Sequence, residues 1–242
     1  MQPDVLTIHR FYESPIGRHA SAVISERMLH FLPHASDMTT VGLGYALPYL
    51  DIYEADTVYG MRGRTLAFMP DRQGVCHWPN LKNSRSCLVD PYHMPLADSS
   101  VDRFLLVHSL EHMHKPTHLL REVWRVLAPG GQVLVVVPNR LRTWSAAEAT
   151  PFGHGIPYSK RQLFQVMTDQ MLPPDDWCTV LMMPPFQWRG APRLMSVGEK
   201  VIRVLGRNLG GALMVCARKQ VYGTLPKNTS KAKTAPVFIH SP

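Results

Sequence analysis

The stretch from residue 86 to residue 140 constrains this chain most: an acid followed by a Met-Pro pair, an apolar run, an amphipathic segment, a Pro-Gly-Gly stop and a second apolar run arrive in that order. Residues 103–107 form an apolar run of the kind expected of a parallel strand buried on both faces. Pro116 sits where a first helical residue tolerates proline. After it, Leu119, Leu120, Val123, Trp124 and Leu127 recur at helical spacing, with Arg121, Glu122 and Arg125 opposite. One face is predicted to pack and the other to be wet. Ala128, Pro129, Gly130 and Gly131 stop that helix and turn the chain, so residues 132–137 are predicted as the next buried strand. A short strand over 87–89, ending in Asp90, precedes the pair.

The flanks supply the remaining elements. Residues 11–17 are predicted as a loop, and residues 20–31 as an amino-terminal cap helix with Val23, Ile24, Met28 and Leu29 as its apolar positions. Residues 39–43 are a short strand, 44–48 the turn after it, 51–54 part of the next helix, and 65–69 a second strand. Residues 73–85 are expected to be loop and irregular helix around Trp78-Pro79. Beyond 137, residues 142–157 form a long loop, Ser159 caps a helix to about Gln170, and residues 177–183 and 211–217 make the last two strands. An insertion over 184–209, helical at 197–205, separates those strands. Residues 1–225 are expected to be one domain, followed by a disordered basic tail over 226–242 that carries Lys227, Lys231 and Lys233.

Three pieces in register carry a family resemblance. They are Asp90-Pro91-Tyr92-His93-Met94-Pro95-Leu96-Ala97-Asp98-Ser99-Ser100-Val101-Asp102, then Leu110-Glu111-His112, then the run from Arg121 to Gly131. Together they resemble the class I S-adenosylmethionine-dependent methyltransferases, in the large subgroup that methylates small molecules. The resemblance implies an α/β fold: a doubly wound, mostly parallel seven-stranded sheet with strand 7 antiparallel. It also implies S-adenosyl-L-methionine as cofactor and a small-molecule acceptor. A nucleoside cofactor lies across the carboxyl ends of such strands, where the first turn lets backbone come close.

Carried onto this chain, the resemblance makes Gly42, Gly44 and Tyr45 the cofactor turn. Asp90 and Pro91 become adenine contacts and His108 a backbone contact. Two departures matter. The family's acid followed by G-x-G-x-G is here Gly42-Leu43-Gly44-Tyr45-Ala46-Leu47-Pro48, and the acid that ends the second strand is replaced by Met69, with Asp71 two residues on. Each charged hydrogen bond lost in this way costs about 1.5 to 3 kcal/mol, which predicts weak cofactor binding or none. A methyltransferase-like binding or regulatory protein, and an RNA or protein methyltransferase, are therefore the alternatives.

Methyl transfer from a sulfonium is an in-line displacement, so the protein must align the acceptor and, for an alcohol or phenol, remove a proton. His154, flanked by Gly153 and Gly155 in the long loop, and His112 after the strand over 103–107 are the candidate catalytic residues. His108-Ser109-Leu110-Glu111-His112 also matches an H-x-x-E-H zinc signature. Because His108 follows directly on a strand, the two rings need not share a face, and no metal is expected.

Composition bounds the rest. The chain has 242 residues, 45% of them apolar, and its longest apolar runs are too short for a membrane span. With no signal-peptide pattern and four scattered cysteines, it is expected to be cytoplasmic with reduced thiols. Its 26 basic and 18 acidic residues leave a net charge of +8, dispersed and without the aromatic-basic stripe of a nucleic-acid platform. Nucleic acid is not the expected partner; a protein partner stays open.

Overall fold

The strands lie on the apolar runs. The computed structural model describes residues 3–35, 37–58, 64–140, 142–185 and 210–220. Strands β1 (Thr39–Gly44), β2 (Arg64–Pro70), β3 (Ser86–Val89), β4 (Val101–Val107), β5 (Leu127–Pro138), β6 (Pro174–Val180) and β7 (Ala212–Arg218) join one sheet in the order β3-β2-β1-β4-β5-β7-β6. Strands β1 to β5 pair in parallel, whereas β7 is antiparallel to both β5 and β6. The order reverses at β1, which creates a crevice at the carboxyl ends of β1 and β4.

Alternation along the central strands separates two cores. Leu105, Val107, Leu134 and Val136 face one side, together with α1 (Val5–Glu13), α2 (Pro15–Phe31) and α3 (Leu47–Val58). Phe104, Leu106, Val133 and Val135 face the other side, under α4 (Pro116–Val126) and α5 (Lys160–Thr168). Both faces are covered, which is why these strands read as apolar runs.

Several boundaries differ from the sequence expectation for local reasons. The amino-terminal cap is two helices, and the segment expected as a loop over 11–17 is mostly helical. Asp4 caps α1, accepting from Thr7 N at 2.8 Å, while Ser14 ends α1 and caps α2, with Pro15 in the first turn. Pro48 belongs to the first turn of α3 rather than to the turn before it. Residues 73–85 contain turns and bends but no helix. Strand β6 begins three residues earlier than expected and stops at Val180, because Leu181 takes a left-handed φ of 61°. The insertion over 184–209, apart from Pro184 and Pro185, and the tail over 226–242 lie outside the described residues.

The wet face of α4 also needs correction. Glu122 is only 8% exposed, because its carboxylate turns inward to the backbone N–H of Met94 and to Arg125. Helix α5 starts on a full capping box between Ser159 and Gln162. Ser159→Ala is expected to lower stability by about 1 kcal/mol, read as a shift of the urea midpoint at unchanged slope.

Candidate active site

The turn after β1 is built for close approach. Gly44 adopts φ +90°, and a Cβ added there would lie 2.2 Å from the Val107 carbonyl oxygen and 2.8 Å from that of His108. The next residue completes the hook: Tyr45 N donates to Val107 O at 2.8 Å. Gly42 serves helix packing, since an added Cβ would meet the Ala46 methyl at 2.6 Å and Leu50 at 2.9 Å. Ala46 must be small for the same reason.

Beside this turn lies a buried polar and aromatic cluster. Tyr45 stacks on Tyr12 of α1, with ring centroids 5.4 Å apart and planes 11° from parallel. The Tyr12 hydroxyl is 2.9 Å from the Tyr49 hydroxyl and 2.8 Å from His108 Nε2. His108 is fully buried with φ +49°, and its Nδ1 lies 3.5 Å from Glu111 Oε1. Phe152, from the loop after β5, closes the other side of the His108 ring at 4.7 Å between centroids. Burial pushes the Tyr12 phenol well above its ordinary pKa, and it raises Tyr45 and Tyr49 in the same way. All three hydroxyls therefore keep their protons at neutral pH.

A cavity of about 350 Å³ opens at the ends of β2 and β3. Asp71, Asp90, Pro91, Tyr92 and His112 line it. Asp90 accepts from Tyr92 N at 2.9 Å and pairs with His93 Nδ1 at 2.9 Å; the His93 contact, with the Tyr92 N–H, holds its carboxyl below the usual range. Met69 is wholly buried within β2, so the carboxylate at the mouth is that of Asp71, two residues on.

His112 and His154 lie on the same side. Gly155, at φ +80°, packs on the Glu111 carbonyl and beside His112 Nδ1, and Ile156 N donates to Glu111 O at 2.7 Å. The loop is thereby docked against the segment that follows β4. His154 Nε2 donates to the Glu148 carbonyl at 2.9 Å. Burial lowers the pKa of His112, and its Nε2 has no hydrogen-bond partner among the described residues. A neutral ring results at ordinary pH.

The predicted residues thus fall into two groups: Gly44, Tyr45 and His108 at the aromatic cluster, and Asp90, Pro91 and His112 at the cavity, with His154 alongside. His108 and His112 point to different surroundings, and among the described residues no three His, Cys, Asp or Glu side chains are grouped to hold a metal. Sequence reasoning missed Tyr12, Tyr49 and Glu111. Asp4, an N-cap residue directly before Val5, was the available signal for Tyr12's helix.

Comparison with known proteins agrees with this architecture. Residues 41–135 match the family model described as "Methyltransferase domain". A protein of Mycolicibacterium smegmatis named "Probable S-adenosylmethionine-dependent methyltransferase" is 31% identical over 115 residues, which cover 46% of this chain and 42% of that protein. The match thus spans less than half of that relative. A methyltransferase solved in complex with the Haloferax volcanii Trm112 methyltransferase activator superposes with a TM-score of 0.59 at 15% identity, over 90% of this chain and all of that one. Geranyl diphosphate C-methyltransferase from Streptomyces coelicolor, solved with Mg2+, geranyl diphosphate and S-adenosyl-L-homocysteine, superposes at 0.54 with 16% identity, over 82% of this chain and 77% of that one. The sheet order and the glycine turn at the switch point agree with these matches: residues 41–135 are similar in sequence to the methyltransferase domain of S-adenosylmethionine-dependent methyltransferases, and the whole sheet shares the fold of the solved methyltransferases.

Proposed function

We propose that this chain is an S-adenosylmethionine-dependent methyltransferase acting on a small-molecule acceptor. The observation that carries it is the cavity at the ends of β2 and β3, with the Asp71 and Asp90 carboxylates in its lining, on the sheet whose switch-point strand β1 ends in the Gly44 turn. The adenosyl half of the cofactor fits this space: Asp90 and Pro91 would hold the adenine edge and Asp71 the ribose hydroxyls. The aminoacyl half belongs at Gly42, Gly44, Tyr45 and His108, where α1 now seats Tyr12 against Tyr45. Loading therefore requires α1 to lift. The bound cofactor supplies an electrophilic methyl group on sulfur. His112 and His154, on the acceptor side, contact the polar group of the substrate and hold it in line.

Calorimetric titration with S-adenosylhomocysteine tests the assignment, with saturable binding expected and no heat at millimolar ligand overturning it. Asp90→Asn keeps the turn, because Asn makes the same local bond, but it removes the charge; affinity should fall by roughly tenfold to a hundredfold at unchanged Tm. A second reading, a methyltransferase-like binding or regulatory protein, is favoured by the seating of Tyr12 and Tyr45 over the glycine turn. It predicts nucleoside binding without methyl transfer to any acceptor, and radiolabel on an acceptor excludes it.

A further inference from the structure

We infer that α1 is an autoinhibitory segment: Tyr12 keeps, against His108, the seat of the cofactor's α-amino group. The chain in this conformation therefore admits an adenine nucleoside that lacks the aminoacyl arm and excludes one that carries it. The inference rests on the methyltransferase reading and names the regulation of the same site.

One side chain at the end of a short helix makes the contact. Helix α1 has nine residues and buries Val5, Ile8 and Tyr12. The Tyr12 hydroxyl lies 2.8 Å from His108 Nε2 and 2.9 Å from the Tyr49 hydroxyl, and its ring stacks on Tyr45 at the Gly44 turn. A phenol O–H and an ammonium N–H are both donors, so each suits the unprotonated nitrogen of an imidazole. Behind the ring, 3.5 Å from Nδ1, stands the Glu111 carboxylate, wholly buried, whose Oε1 has no hydrogen-bond partner among the described residues. A buried carboxylate favours a cation nearby, and a phenol brings none. The Ser109 hydroxyl, buried and likewise without a partner among the described residues, belongs to the same turn: a Cβ on Gly44 would lie 2.9 Å from Ser109 Cβ. Tyr12 thus fills the seat without satisfying it, and a group with more donors and a positive charge is the better occupant.

The rest of α1 is arranged to move as a unit. Ser14, in extended conformation at φ −71° and ψ 159°, is the single residue between α1 and α2, so a rotation there moves α1 and spares α2. Toward the sheet, Val5 N donates to the Gln73 carbonyl at 2.8 Å, and His9 Nδ1 lies 2.8 Å from the Tyr45 hydroxyl. Gln73, tied to α1 through that bond, keeps both atoms of its side-chain amide buried and unpartnered among the described residues, so the closed arrangement forgoes those bonds as well. The cavity at the ends of β2 and β3, in contrast, is open in the same structure, and no residue of α1 lines it. A nucleoside without the aminoacyl arm occupies that cavity and leaves the Gly44 turn to Tyr12.

Two ligands separate the halves of the site. S-adenosylhomocysteine carries the aminoacyl arm, whereas 5′-methylthioadenosine has the same nucleoside with a methyl group in its place. Calorimetric titration compares the wild type with Tyr12→Phe, which keeps the ring and loses both hydroxyl contacts. Tyr12→Phe is expected to bind S-adenosylhomocysteine about tenfold more tightly than the wild type, because the apparent affinity of a closed site is scaled by its open fraction. Both proteins should bind 5′-methylthioadenosine alike. Unchanged or weaker S-adenosylhomocysteine binding by Tyr12→Phe, or an equal gain for 5′-methylthioadenosine, overturns the inference. Amide hydrogen exchange on the wild type reads α1 directly. S-adenosylhomocysteine should speed exchange over residues 5–13 by about tenfold or more, and 5′-methylthioadenosine should leave it unchanged. Unchanged or slower exchange with S-adenosylhomocysteine bound overturns the inference, since the helix would then stay seated or close over the cofactor. Absence of binding of either ligand to both proteins overturns the methyltransferase reading, and the inference with it; binding of both ligands with no response of α1 overturns the inference alone.

Discussion

Gly44→Ala is expected to destabilise the protein by roughly 3 kcal/mol or more and to abolish S-adenosylhomocysteine binding. Two costs add at this position. The backbone is in the left-handed region at φ +90°, and the new methyl would sit 2.2 Å from the Val107 carbonyl oxygen, a backbone atom already engaged by Tyr45 N. That atom cannot retreat without disturbing the β1–β4 ladder, in which Gly44 pairs with Val107. Gly130→Ala is the control. Its φ is +76°, yet nothing lies within 4 Å of an added Cβ, so the conformational cost alone, about 1 kcal/mol, should appear. Urea denaturation of the two variants reads the difference, and equal midpoints would contradict the close approach at the glycine turn.

Glu122→Ala is expected to cost roughly 2 to 3 kcal/mol, the lower range for a broken buried pair because the Arg125 side chain is 32% exposed. The carboxylate accepts from Met94 N at 2.8 Å and from Arg125 at 2.6 and 2.8 Å. Arg125 in turn donates to the Leu96 carbonyl at 2.9 Å and to Asp98 at 2.5 Å. The pair therefore clamps the segment after Asp90 onto α4, so the loss should reach the cavity as well as the fold. Glu122→Gln retains an acceptor for Met94 N and should lose less.

The same pair has a pH signature. Burial pushes the Glu122 carboxyl up, but the Arg125 hydrogen bonds, the Met94 N–H and the neighbouring positive charge bring it below its ordinary value. A carboxyl depressed in the folded state contributes stability that is fully present above its unfolded pKa, about 4.3, and that is lost as pH falls through the lower folded value. Wild type should therefore lose this contribution progressively below about pH 4.3, and Glu122→Ala should show a shallower decline over that window. Parallel acid limbs would remove Glu122 from the account.

How far the residues speak for themselves depends on the range of the interaction. Residues 103–107 and 132–137 are strands buried on both faces and declare themselves by continuous apolarity, whereas Pro129-Gly130-Gly131, expected as the helix stop, lies within β5, because α4 already ends at Val126 and Leu127 joins the sheet. Periodicity alone assigned Glu122 to solvent, because helical spacing separates faces but does not record that a loop 28 residues earlier lays an N–H on one of its oxygens. Asp90 was legible as a strand-end carboxylate, whereas Asp71 at the cavity mouth depended on where β2 stops.

The aromatic cluster lies beyond any such local rule. Tyr12 and His108 are 96 residues apart, and their meeting depends on α1 docking across the carboxyl ends of β1 and β4. The succession of elements and the sheet they form were written in short-range pattern, since hydrophobic period and turn chemistry act over a few residues. Which side chains share the crevice, and that Tyr12 stacks on Tyr45 beside His108, followed only from long-range packing, where burial and hydrogen bonding join segments that no spacing connects.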